Sequence, residues 1–322
     1  MSARRKCIIE VTEMTNNQTV SKAGVNVSSA RRTQRTSMII RLVITYLFLA
    51  IMAVIVIFPF YWMLISSVKT MTEYRENVPT LWPRQIVWTN FTTAFEKANL
   101  WGLFTHTLFV GVVSTVLSLV VTVLSAFAFA RLNFKGKNLV FGLLMATMMV
   151  PGELYTITNY LTVSGNLPFT SEPISALDFT NTFTVLIFPM LVSVFYIYLL
   201  RQTFLQIPNE LYLAAKVDGT SDFKYLWKVM IPLSVSTIIT ITILKMMGAW
   251  NAYIWPRLVA NDDAHKLITN GLRGANFVDE FGETDFPAQM AAVTIVSIPL
   301  FLVFVFLRKY IMRGVSRSGI KG

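Results

Sequence analysis

Hydrophobic residues in this chain come in long unbroken runs rather than in alternation. Residues 42–68 contain no Asp, Glu, Lys or Arg, and neither do residues 98–130. A third apolar stretch follows Lys137 and is interrupted by Glu153. Residues 179–200 and 286–307 are again free of charge, while 229–256 carries only Lys245. About 20 helical residues cross the hydrocarbon layer of a bilayer. The pattern therefore predicts an all-α polytopic membrane protein. Its six transmembrane helices fall at about residues 42–66, 104–130, 138–160, 180–200, 229–256 and 287–307. A β-barrel would require period-two alternation, which these runs lack. Proline punctuates the runs at Pro59, Pro151, Pro189 and Pro299. Each removes a backbone donor and either marks a packing irregularity or bends a helix around a central path.

The polar segments set the domain plan and the orientation. Residues 1–37 form a basic tail rich in Ser, Thr, Asn and Arg that is expected to be disordered. Residues 38–311 are the transmembrane domain, and 312–322 form a short C-terminal tail. Segments 1–41, 131–138, 201–228 and 308–322 hold 20 Lys and Arg between them, against 7 in the alternate segments. The positive-inside rule places the first set, and with it both termini, in the cytoplasm. The first apolar run is no cleaved signal, since it starts some forty residues in and is too long for an h-region.

Composition agrees. Of 322 residues, 54% are hydrophobic and 14% charged, where a soluble domain carries about 25% charge. The net charge of +11 would suggest nucleic acid in a soluble protein, but the basic residues lie between spans, so no nucleic acid is expected. Cys7 is alone, which rules out a disulfide framework and a cysteine metal site. His106 and His265 are far apart, no H-E-x-x-H or G-x-S-x-G occurs, and no phosphate loop is present. Neither an enzyme nor a resident metal or cofactor is expected. His106 reads as a packed or interfacial histidine.

The segment between the fourth and fifth runs carries the sharpest local signal. Pro208 stands where a helix can start, and Glu210 lies in its first turn, where the dipole favours an anion. Leu211, Ala214, Ala215 and Asp218 follow at i, i+3, i+4 and i+7 and should share one face. Gly219 suits a left-handed stop, and Ser221 can cap a second helix from Asp222 that runs into span five. The expected product is a short helix parallel to the membrane, either an ordinary surface helix or one that presents two alanines to another surface.

This loop resembles the cytoplasmic signature E-A-A-x3-G-x9-I-x-L-P of permeases from binding-protein-dependent ABC importers. Here it reads Leu213-Ala214-Ala215, three residues, Gly219, nine residues, then Val229-Met230-Ile231-Pro232. Leu213 departs from the usual Glu. Trp250-Asn251 before Trp255-Pro256, Met149-Val150-Pro151-Gly152-Glu153 and the terminal Gly319-Ile320-Lys321-Gly322 are similar to elements of the maltose-type, carbohydrate-uptake branch. The resemblance implies a non-enzymatic subunit of a bacterial or archaeal cell membrane. It implies a second permease, two ATPase subunits that bind ATP and Mg, and an extracytoplasmic solute-binding protein as partners, with membrane lipid around them. By the same resemblance, Glu210, Ala214, Ala215, Asp218 and Gly219, with Gly319, Lys321 and Gly322 in the tail, couple the spans to the ATPases. The implied work is movement of a sugar or oligosaccharide by alternating access.

Span five supplies the candidate solute path. Lys245 is too deep to snorkel to either surface, so it either joins helices through a carboxylate such as Glu153 or a carbonyl, or lines the path. Trp250, Asn251 and Tyr253 either contact a sugar or anchor the span at the interface. Asp262, Asp263, Asp279, Glu280, Glu283 and Asp285 make segment 257–285 acidic, and Trp82 and Trp88 mark segment 66–103. Both segments are either solvated or dock the binding protein. The alternatives are a permease of the same superfamily for a non-sugar solute or a charged saccharide, and an ion-coupled secondary transporter, which would call for internal repeats and paired intramembrane carboxylates.

Overall fold

The computed structural model describes residues 37–166, 178–278 and 282–316. Of the tails expected at 1–37 and 312–322, residues 1–36 and 317–322 lie outside the described residues. The chain divides after Trp62 into two units. The first contributes most of helix α1 (Ser37–Ser67), an apolar helix of 31 residues, about 46 Å long at 1.5 Å per residue.

Helices are the regular elements of the second unit among its described residues, joined by turns and loops that carry two isolated bridges. Its elements are α2 (Met71–Tyr74), α3 (Thr89–Lys97), α4 (Leu100–Arg131), α5 (Lys137–Thr147), α6 (Gly152–Val163), α7 (Phe183–Ile187) and α8 (Val194–Leu205). After them come α9 (Asn209–Val217), α10 (Asp222–Tyr225), α11 (Ile231–Leu233), α12 (Val235–Trp250), α13 (Ile254–Val259), α14 (Ile268–Gly274) and α15 (Phe286–Ser316). Helices α1, α4 and α15 are continuous and apolar enough to cross a membrane. The other three runs are bent pairs: α5 with α6 at 94°, Phe183–Met190 with α8 at 43°, and Asp222–Leu233 with α12 at 80°. Six spans result if each pair is one span.

Proline chemistry explains the breaks. Pro151 offers no N–H to the preceding turn and disfavours helical backbone at Val150, so α5 ends at Thr147 and α6 restarts at Gly152. Pro189 sits inside a 3-10 turn, Phe188–Met190, between α7 and α8. Pro232 follows a π-turn, Leu226–Met230, and the axis swings at Ser234. Pro299, by contrast, lies inside continuous α15, and Pro59 inside continuous α1.

Helix α4 is the hub, packed against α8 and α12. Its buried side is a stripe of small residues, Thr107, Gly111, Ser114, Ser118, Thr122 and Ala126, at intervals of three and four. Small side chains let helices approach closely where lipid supplies no hydrophobic drive between them. At Gly111 a Cβ would come within 2.9 Å of the Met246 sulfur on α12.

One loop is held by a single buried amide. Asn270 on α14 donates to the carbonyls of Ala260 (2.9 Å) and Pro256 (3.2 Å) and accepts from the Leu267 N–H at 2.8 Å. All of its hydrogen-bonding groups are engaged while it is 1% exposed. Asn270→Ala should therefore destabilise the folded permease by about 3 kcal/mol, the cost of leaving buried partners unpaired. Thermal unfolding in detergent would read this, and an unchanged midpoint would contradict it.

Candidate functional site

The site begins where α4 and α8 end together. Arg131, the last residue of α4, is 9% exposed. Its guanidinium donates to the carbonyls of Phe204 (2.9 Å) and Ile207 (2.5 Å) and reaches the Asn209 side chain at 3.4 Å. It caps the C-terminus of α8, where the helix dipole favours a cation, and fixes the first residue of α9. Arg201 on α8 reciprocates: its Nε donates to the Phe129 carbonyl at 3.1 Å, and its guanidinium lies 4.1 Å from the Phe141 ring centre.

From this junction the chain turns at Pro208 into α9, with Glu210 in the first turn. The helix stops as expected. Gly219 has φ +68°, the Thr220 N–H reaches the Ala215 carbonyl at 2.8 Å, and the Gly219 N–H reaches Lys216 at 3.1 Å. This is a Schellman stop. Ser221 then caps α10 by accepting from the Lys224 N–H at 3.3 Å.

A polar clasp ties α9 to α10. Tyr212 donates its hydroxyl proton to Asp222 at 2.7 Å, and the Lys216 ammonium meets the same oxygen at 2.7 Å. The hydrogen bond from Lys216, with that from Tyr212, holds the Asp222 carboxyl below the usual carboxylate range, and bonding to Asp222 raises Lys216. Both shifts widen the pH range, on either side of neutrality, over which the clasp is charged.

The outward face differs from the one expected of the periodicity. Tyr212 packs edge-on to buried Tyr225 at 5.1 Å, and it draws Ala215 with it onto the core formed by Phe127, Leu200, Phe204 and Met230. Ala215 is half-buried, whereas Leu211, Leu213, Ala214, Val217 and Asp218 are exposed. The two alanines straddle the edge of the seat instead of pointing together at a partner. Leu213, the departure from the motif, belongs to the outward apolar surface. Gly319, Lys321 and Gly322 lie outside the described residues.

Along α12, Lys245 is half-buried and donates to the carbonyl of Met190, with the Tyr196 ring centre at 5.9 Å. Glu153 is instead exposed in the first turn of α6. The partner is a carbonyl at the Pro189 break, a place where helical bonding is interrupted. Trp250 is buried against Phe104, and its indole N–H has no acceptor among the described residues. Asn251 is exposed and donates to the Met247 carbonyl at 2.9 Å, and Tyr253 faces the Arg273 guanidinium at 5.2 Å.

At the other end, His106 meets the Lys266 carbonyl at 3.2 Å, and Phe183 packs between His106 and His265. No cluster of potential metal ligands occurs among the described residues. Much of the acidic segment is paired: Asp262 with His265, Asp263 with Lys266, Asp285 with Lys97 and Glu283 with Arg75. Asp279 and Glu280 lie outside the described residues. The loop after α1 closes on itself, with the Val87 N–H on the Val68 carbonyl at 2.8 Å and Asn90 bridging the carbonyls of Ser67 and Lys69. Inside it, buried Glu73 accepts from Thr80 at 2.5 Å and from the Arg84 N–H at 3.1 Å, and Lys69 donates to the Thr80 carbonyl. Trp82 and Trp88 stand exposed on its rim.

Comparison with known proteins agrees with this architecture. The arabinooligosaccharides transport system permease protein AraQ of Halalkalibacterium halodurans is 28% identical over 90% of this chain and 99% of its own length. The sn-glycerol-3-phosphate transport system permease protein UgpE of Yersinia pestis is 26% identical over 85% and 95%. A solved bacterial ABC transporter involved in the import of the acidic polysaccharide alginate has a chain of the same fold, with TM-score 0.72, 21% identity, and 83% and 95% of the two chains covered. The family model for the binding-protein-dependent transport system inner membrane component matches residues 118–317, more than half of the chain. The chain, with its apolar helices and the α9 loop inside that match, belongs to this family: it is a multi-pass membrane component of an ABC transport system and not an enzyme.

Proposed function

We propose that the chain is the permease of an importer that moves a sugar or oligosaccharide across the cell's inner membrane, both termini facing the cytoplasm. It works with a second permease, two ATPase subunits and an extracytoplasmic solute-binding protein. ATP and Mg bind to the ATPases. The observation that carries the reading is α9: an exposed apolar face on a helix held at both ends, by Arg131 and by the Schellman stop. A helix so fixed transmits the closing of a docked ATPase pair to α4 and α8 with little slack. Glu210, Ala214, Ala215, Asp218 and Gly219 form the coupling set, joined in the tail by Gly319, Lys321 and Gly322.

Lys245, Trp250, Asn251 and Tyr253 line the solute path. The unpaired indole N–H of Trp250 supports this, as a buried donor calls for an acceptor. Lys245 already has the Met190 carbonyl, which favours a neutral solute over an anionic one. Tagged permease extracted in mild detergent should bring down an ATPase and a second permease, identified by mass spectrometry. The permease recovered alone, folded and monodisperse, would overturn the reading and favour an ion-coupled carrier.

A further inference from the structure

The junction of α4, α5 and α8 forms an open cavity of about 480 Å³ that the transport reading does not use. Arg201, Lys137, Asn133 and Asn138 supply its polar lining, and Phe134 and Leu139 part of its apolar lining. The charge is uncompensated. Residues 129–139 and 197–208 contain no Asp or Glu, and no ion pair to Arg131, Lys137 or Arg201 occurs among the described residues. Arg201 spends its Nε on the Phe129 carbonyl, and its terminal nitrogens have no hydrogen bond among the described residues. Lys137 spends one donor on the Leu132 carbonyl at 2.9 Å. Like charges gathered around a hollow attract an anion with several acceptor oxygens, and a planar guanidinium suits a phosphate.

We propose that this cavity binds the phosphate headgroup of an anionic phospholipid. The segment 132–136 joins two apolar helices, so the cavity opens at the membrane boundary, where headgroups lie. Phe134, Leu139 and Leu205 line it with exposed hydrocarbon, which meets acyl chains and offers nothing to a free phosphate ion. The headgroup shares Arg201 with the Phe129 carbonyl, so an occupied cavity stiffens the α4–α8 junction on which α9 is seated.

Native mass spectrometry of the delipidated full transporter, given equal amounts of phosphatidylglycerol and phosphatidylcholine, tests this. Preferential retention of phosphatidylglycerol is expected, weakened roughly 5-fold by Lys137→Gln and again by Arg201→Gln. Asn133 is exposed and makes no hydrogen bond among the described residues, so Asn133→Asp adds a carboxylate to the cavity without disturbing the junction and should weaken retention too. Equal retention of the two lipids, or unchanged retention in Lys137→Gln and Asn133→Asp, overturns the proposal. Displacement of the lipid by excess inorganic phosphate would also overturn it, assigning the cavity to a soluble anion.

Discussion

Tryptophan in place of Ala215 should abolish uptake by the assembled transporter while membrane insertion and permease yield stay unchanged. Ala215 rests against the core under α9, and its carbonyl also receives the Thr220 N–H that ends the helix. An indole cannot enter that seat. Overpacking costs about 1–3 kcal/mol, which α9 escapes by lifting off, since its outer face has nothing to lose. The long apolar spans do not depend on the seat, so insertion is unaffected. Ala214 is exposed, and Ala214→Trp should leave α9 seated but obstruct whatever docks on it. Hydrogen exchange separates the two: residues 212–220 lose protection in Ala215→Trp and keep it in Ala214→Trp. Normal uptake by Ala215→Trp would defeat the docking role of α9.

Arg131→Met should be the most destabilising single change at this junction, by about 3 kcal/mol, because the buried carbonyls of Phe204 and Ile207 lose their donor. Methionine fills much of the space, so the loss measures bonding rather than a cavity. Arg131→Lys should recover part of it: one ammonium can approach a carbonyl but cannot span both with a rigid fork. Thermal unfolding of the purified permease gives the order wild type, Lys, Met. Equal midpoints for all three would show that Arg131 serves only the charge balance across the membrane.

That contrast also explains what could be read in advance. Pro208, Gly219 and Ser221 act on the backbone within a few residues, so the limits of α9 followed from local chemistry alone. Its inward face did not, because Tyr212 chooses it by meeting Asp222 and Tyr225, residues of the next helix. The apolar runs were legible, but the bends at Pro151, Pro189 and Ser234 depend on where neighbours re-satisfy freed backbone groups. Arg131 was visible only as one more positive residue beside a span. Its place as the last residue of its helix was the available hint that it caps something. The partner of Lys245 was a carbonyl exposed by a distant proline, which no spacing rule can locate. Asn270 and Glu73 sit on helices of seven and four residues, too short to show a periodicity, so nothing but tertiary contact marks them.

The closed loop after α1 has an entropic consequence. Ordering a free segment on binding costs on the order of 1 kcal/mol per residue in backbone freedom alone. Here Glu73, Lys69 and Asn90 have already fixed the stretch that carries Trp82 and Trp88. A surface that meets these two rings gains their contact area without first having to freeze the chain that presents them, so even a brief, small contact there can be selective.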